Sequence, residues 1–259
     1  VHPIERLRHL ARADGVGSAL LVREAAGALA SFGADPPGLV TACRRLIERH
    51  PTSGPIWWLA SRMLSSAEPV AEAWRAADEL DADTTAHELA RRLPDDATVL
   101  VLGGPETAGE SVRRRADLEV LVVDVDGEGG HLARRLRGAG IDALDVPHNG
   151  LGAAAAEADL VLLEASVLGP DAFVAPAGSR AAASVARQTG TTVWLAVGVG
   201  CALPAALWDA VADRLGAGDD EPWDRPEEIV PLSLVDEVIG PPESATPCPV
   251  APELLKGLD

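Results

Sequence analysis

Lysine is nearly missing from this chain: of its 22 basic residues, Lys256 is the only lysine and the rest are arginines. Any mechanism that needs a lysine in the core is therefore excluded. Cysteine is as scarce. Cys43, Cys201 and Cys248 form an odd, widely spaced set without a CxxC, which argues against both a disulfide framework and a zinc knuckle. Positive charge is short too, since 40 acidic residues against 22 basic ones leave a net charge of −18. A surface this acidic repels phosphodiester backbones and anionic lipid, so neither nucleic acid nor a membrane is an expected partner. No apolar run reaches the ~18–20 residues of a membrane span, and no charged n-region precedes an apolar stretch at the start. The expectation is a cytoplasmic protein, and no motif asks for a metal or a cofactor.

What is present describes a globular chain. The 259 residues are 47% hydrophobic and 24% charged, enough for a substantial core without covalent staples. Residues 1–95 read as a helical domain. Ile4, Leu7 and Leu10, then Leu20, Leu21 and Leu29, recur at helical spacing, with Ser18 placed to cap the second helix. Pro36–Pro37 opens a third helix with Leu39, Val40, Cys43, Leu46 and Ile47 on one stripe. A turn ending in Trp57 and Trp58 starts a fourth, and Pro69–Leu93 predicts one longer amphipathic helix.

The pattern changes over residues 96–259. Thr98–Gly103, Leu118–Asp124, Ile141–Val146, Ala158–Glu164 and Thr192–Val197 are short, nearly continuous apolar runs. Helical stretches separate most of them: Ala108–Arg115, His131–Gly138, Gly152–Glu157 and Ser179–Thr189. That alternation predicts buried parallel strands in a doubly wound, Rossmann-like α/β domain. Ile229–Leu234 is read as a last strand, 217–226 as a solvated loop, and the proline-rich tail as draped over the surface. A ligand of such a sheet sits beyond the carboxyl ends of its strands.

The motifs are weighed on chemistry. The segment from Gly104 to Ser111 imitates a phosphate-cradling loop, but Glu110 stands where that motif needs lysine, so it reads as a tight strand-to-helix turn. Gly198–Leu203 begins like a dinucleotide fingerprint and lacks the third glycine. Asp124, Asp126 and Glu164 fall at strand ends, where carboxylates serve as acids, ligands or hydroxyl-binding groups. His131 and His148 are isolated and read as surface residues. Arg113, Arg114 and Arg115 lie late in a helix, where they complement its dipole.

Taken in order, these segments resemble the initiation factor 2B alpha/beta/delta family, which includes regulatory subunits of eukaryotic initiation factor 2B and two sugar-phosphate isomerases. Ala158–Ser166, Ala175–Ala183 and the following Thr192–Trp194 are similar to its "VDLVLVGAD…NKIGT" block. His50–Gly54 resembles its "RPTA" turn, Asp14–Ser18 its "RGAxxIA" loop, and Ile229–Asp236 with Val250–Leu255 its closing block. The resemblance implies a helical domain followed by a sheet domain of the ribose-5-phosphate isomerase (NagB/RpiA-like) superfamily, a homodimer, and a site in the cleft between the two domains. Mapped onto this chain, the ligand-binding candidates are Gly15, Gly17, Ser18, Ser53, Glu106, Thr107, Asp124, Asp126, Glu164, Ser166, Gly178 and Ser179.

The departures from the family are chemical ones. Its isomerases carry a cysteine after the first strand, where this chain has Gly104–Pro105, and an aspartate where this chain has Ser166. Two of the family's arginines align with Asp14 and Asp126, and its lysines with Ala177 and Cys201. Moving a proton between adjacent carbons of a sugar phosphate needs a placed acid and base, and cations for the phosphate. The expectation is therefore an initiation factor 2B-like pseudoenzyme that binds a small molecule or a protein partner through the cleft. The alternative is an aldose-ketose isomerase of the ribose-1,5-bisphosphate or methylthioribose-1-phosphate type, or an enzyme of altered specificity acting on a neutral or cationic ligand.

Overall fold

The computed structural model describes residues 17–125, 127–216, 221–241 and 246–255. The expected first helix through Ile4, Leu7 and Leu10, together with Asp14, Gly15, Asp126 and Lys256, lies outside the described residues. Helices come first: α1 (Ser18–Ala30), α2 (Pro36–Arg49), α3 (Gly54–Ser65), α4 (Pro69–Asp81) and α5 (Thr85–Arg92). Prolines open α2, α3 and α4, where a missing N–H costs nothing. Asp35 caps α2 by accepting from the amide of Gly38 at 3.1 Å. α3 is buried over most of its surface, with Ile56, Trp57, Trp58, Leu59 and Met63 at its heart, and the apolar stripes of its neighbours close around it.

Two helix expectations are corrected. Ser18 does not cap its helix; it is the first helical residue after Gly17, and its own amide is the group that needs a partner. The single helix expected over Pro69–Leu93 is broken at residues 82–84. There the Asp83 carboxylate accepts from both the amide (2.8 Å) and the hydroxyl (2.5 Å) of Thr85, taking over an amide that a continuing helix would bond internally.

The second half alternates strand and helix: β1 (Thr98–Leu102), α6 (Thr107–Arg113), β2 (Glu119–Val123), α7 (Glu128–Gly138), β3 (Asp142–Val146), α8 (Leu151–Glu157) and β4 (Leu160–Glu164). Two short strands follow, β5 (Val167–Leu168) and β6 (Ala172–Pro176), then α9 (Ser179–Thr189) and β7 (Thr192–Ala196). α10 (Ala205–Gly216), β8 (Glu227–Pro231) and β9 (Glu237–Ile239) complete the elements. Six strands pair in parallel in the order β3-β2-β1-β4-β7-β9. Helices cover both faces, because successive side chains of a strand point to opposite sides. Val99 and Val101 meet Val112, Leu132 and Leu136 of α6 and α7, while Leu100 and Leu102 meet the alanines of α8 and α9. Each such burial contributes about 1.5–3 kcal/mol. The architecture is an N-terminal helical region followed by a Rossmann-like α/β domain built on a parallel sheet.

Further corrections concern the later segments. The last strand expected over Ile229–Leu234 runs instead from Glu227 to Pro231 and joins a separate antiparallel sheet, β5-β6-β8; the edge of the parallel sheet is taken by β9. Nor is the tail merely draped over the surface. Ala251 and Leu254 are buried in the core of the helical region, and the Ser61 hydroxyl is bonded on both sides by this segment, to the carbonyl of Pro249 and from the amide of Ala251. Arg44 donates to the carbonyl of Glu253, and the Trp58 indole to that of Thr246. The arginine run does fall at the carboxyl end of α6, as expected, and its members also form ion pairs. Arg113 and Arg114 pair with Glu110, while Arg115 pairs with Asp117 and Asp95 and donates to the carbonyls of Ala90 and Leu93, fastening α5 to the sheet domain. One continuous apolar core joins the two halves, since Val199, Leu203, Leu207, Trp208 and Val211 pack into the helical cluster.

Candidate functional site

The carboxyl ends of β1, β4 and β7 stop short of the helical region and leave a cavity of about 600 Å³ between them. It lies where the strand order turns back on β1, the place at which a doubly wound sheet opens a crevice. Gly104–Thr107 follows β1, Glu164–Ser166 ends β4, and Gly198, Val199 and Cys201 follow β7. Opposite them stand Ser18 and Ala19 of α1, the turn from Arg49 to Ser53, and Asp83 from the break between α4 and α5.

Six of the sequence candidates come together in this wall: Ser18, Ser53, Glu106, Thr107, Glu164 and Ser166. Gly17 lies beside them, against the Glu106 carboxylate. The others do not meet there. Asp124 turns toward α7 and accepts weakly from the amide of Gly130 at 3.4 Å. Gly178 begins α9 with its amide on Glu228, and Ser179 is wholly buried behind it. Gly15 and Asp126 fall outside the described residues.

Sequence reasoning missed Asp83, Glu227 and Cys201, although all three line the cavity. Asp83 was hidden inside an unbroken helix. Glu227 lies more than sixty positions along the chain from Ser166, which donates to it at 3.0 Å. Only the pairing of β6 with β8 brings Glu227 to the rim.

The polar groups of the cavity are tied to one another. Glu164 receives the amides of Glu106 (3.1 Å) and Ala108 (2.7 Å) at the start of α6. Glu106 in turn accepts from the amide of Ser18 at 2.8 Å, closing the first turn of α1. Asp83 accepts from the amide of Val199 at 2.8 Å. Burial pushes the Glu164 carboxyl up to about 7; the amides of Ala108, Thr107 and Glu106 work against that rise, and the charge of Glu106 adds to it. Glu227 is raised by burial too, against the hydroxyls of Thr52 and Ser166. The Cys201 thiol moves far up, through burial and then the negative charge of Glu164 and Asp83, so it is held as an unreactive thiol. Glu110, paired with Arg113 and Arg114, is held below the usual carboxylate range.

Five carboxyl groups thus face the cavity (Asp83, Glu106, Glu110, Glu164 and Glu227), and among the described lining residues Arg49 supplies the one guanidinium. The amides that begin α1 and α6, which would attract an anion, already hold carboxylates of the protein itself. Among the described residues no group of three or more His, Cys, Asp or Glu side chains is placed to hold a metal ion. No helix among them is long and apolar enough to cross a membrane.

No protein-family model matches the chain, and a search of curated proteins finds no match. Solved structures do match. The translation initiation factor eIF-2B of Pyrococcus horikoshii OT3 is 18% identical, with a TM-score of 0.75 over 92% of this chain and 94% of that one. The delta subunit of eIF2B from Chaetomium thermophilum is 18% identical, with a TM-score of 0.69 over 92% and 96%. The beta subunit from the same organism is 19% identical, with a TM-score of 0.68 over 92% and 83%. At such low identity the likeness is one of architecture: over nearly its whole length, the chain has the fold of these eIF2B proteins.

Proposed function

We propose that the protein is a non-catalytic, initiation factor 2B-like regulatory protein whose cleft receives a small molecule without a phosphate, either neutral or cationic. The observation that carries this reading is the sign of the cavity. A phosphate ester asks for arginine forks, lysine or free helix amides, whereas this wall presents carboxyls and spends the amides of α1 and α6 on its own Glu106 and Glu164. The positions that align with the isomerases' cysteine and aspartate are Gly104–Pro105 and Ser166, and the Ser166 hydroxyl is committed to Glu227. Homodimerisation, a protein partner and a cytoplasmic location belong to the same proposal through the resemblance of sequence and fold.

A second reading is favoured by one group. Glu164, with its carboxyl near 7, is poised to take or give a proton at neutral pH, as an enzyme of altered specificity requires. One experiment tests the proposal against a retained sugar-phosphate isomerase. The protein is incubated with ribose-1,5-bisphosphate and with methylthioribose-1-phosphate, followed by phosphorus NMR, while a panel of amines, polyols and phosphate esters is scored by thermal shift. The expected outcome is no turnover, no stabilisation by the phosphate esters, and stabilisation by an uncharged or cationic compound. Saturation at about 100 times Kd adds about 2.7 kcal/mol. Turnover of either sugar phosphate refutes the proposal.

A further inference from the structure

The segment that opens α6 is suspended between two carboxylates. Its amides at Glu106 (3.1 Å) and Ala108 (2.7 Å) donate to Glu164 at the end of β4. Its own Glu106 carboxylate accepts from the amide of Ser18 at 2.8 Å, 88 positions away in sequence. That last bond runs from the sheet side of the cavity to the helical side. α1 has no side-chain cap from Gly17, so its first amide depends on a group from the opposite wall. A side chain at Gly17 would begin 2.6 Å from Oε1 of Glu106, and a residue without one lets the carboxylate come this close.

Asp83 makes the opposite crossing, from the break between α4 and α5 to the amide of Val199 beyond β7. The two braces are not equally fixed. Asp83 is held by three donors, the amide and hydroxyl of Thr85 and the amide of Val199. Glu106 is held by one donor and is exposed to water. Of the two, Glu106 is the one free to let go.

Glu164 supplies the force. The charge of Glu106 resists ionisation of Glu164, and by the same Coulomb interaction an ionised Glu164 repels the Glu106 carboxylate. The other charged and titratable groups around the cavity are placed elsewhere. Glu110 pairs with Arg113 and Arg114, and Glu227 accepts from Ser166. Asp83 and the Cys201 thiol stand on the β7 side, and Arg49 and His50 at the end of α2.

We infer that Glu106 is a latch across the cavity, set by Glu164. While Glu164 keeps its proton, Glu106 bridges to α1 and ties the two walls together. Once Glu164 ionises, repulsion turns Glu106 out to water and releases the first turn of α1. Burial of Glu164 places that change at about pH 7. The latch goes beyond the proposed function, since it concerns access to the cavity and not what the cavity takes.

The test follows hydrogen exchange of the Ser18 amide by NMR in the full chain without ligand. Rates are corrected for intrinsic exchange and compared with Val101 in β1, so that a change in global stability is separated from local release. In the wild type, protection of Ser18 is expected to fall at least about tenfold between about pH 6 and about pH 8, beyond any change at Val101. The Val199 amide, held by Asp83, should show no such extra fall. Glu164→Gln has no charge to gain and should abolish the fall at Ser18. Glu106→Gln keeps an acceptor for the Ser18 amide but no charge to be repelled, and should abolish it too; this exposed position serves if Glu164→Gln folds poorly. A wild-type Ser18 amide with constant protection overturns the inference, as does either folded variant that repeats the wild-type fall. No ligand enters the measurement, so its failure counts against the latch alone, and an empty ligand screen counts against the proposed function alone.

Discussion

Removing the charge of Glu164 while keeping its shape is the sharpest perturbation available at the cavity. In the folded protein the carboxyl holds its proton up to about pH 7, whereas the unfolded chain releases it near the ordinary value of 4.5. Between those two values the native state binds more protons than the unfolded state, so stability falls as pH rises through the window and levels off above it. At about 1.4 kcal/mol for each pH unit of that window, its full width corresponds to about 3 kcal/mol. That is an upper figure, because the side chain keeps some contact with cavity water. For a chain of this size it corresponds to a melting temperature about 5–10 °C lower at the alkaline end. Glu164→Gln keeps an acceptor for the amide of Ala108 and leaves that of Glu106 unpaired, a constant cost of about 1 kcal/mol that does not vary with pH. Thermal unfolding followed by circular dichroism between about pH 5 and pH 8 should show the wild type losing stability with rising pH. The variant should show a clearly shallower slope, the remainder coming from Glu227, which burial raises in the same direction. A flat wild-type profile, or a variant as steep as the wild type, would refute this account of Glu164.

Other outcomes follow from packing. Ser61→Ala removes a buried hydroxyl bonded both to and from the segment around Ala251, and should cost about 1–3 kcal/mol in urea unfolding while making residues 246–255 more open to protease. At Gly54 an added Cβ would sit 2.7 Å from the carbonyl oxygen of Ser166 and 2.8 Å from Cα of Cys201, both backbone atoms with no room to yield. Gly54→Ala should therefore lower stability by about 1–3 kcal/mol, read as a drop in melting temperature, and a neutral result would show that the turn relaxes freely.

The sheet was legible because its strands are near-continuous runs of Val and Leu bounded by turn residues, a pattern that only a two-sided burial explains. Helix starts were legible wherever proline marks them, at Pro36 and Pro69. The break at Asp83 was not, because the apolar period runs on to Leu89 and Leu93 across it, and only the carboxylate's grip on Thr85 reveals the stop. α10 carries its own signal in Leu207, Trp208 and Val211, which the motif-like glycines just before it overshadowed. Strand-end reasoning supplied Glu164 on β4, together with Asp124, which does not line the cavity, while Ser166 came from the family resemblance. It had no means of supplying Asp83 or Glu227, because their approach depends on how a helical region and a second sheet settle against the first.

The tail that seats Ala251 and Leu254 also sets an order of assembly. The helical region is made first, yet part of its interior is lined by residues from α10 and from the stretch beyond β9. A nascent chain with only its helices synthesised therefore exposes an unfinished apolar surface and must keep it from aggregating until the far end arrives. With contacts spanning about two hundred positions, as between Ser61 and Ala251, the halves become native together, and folding is paced by that distant closure rather than by the local helices.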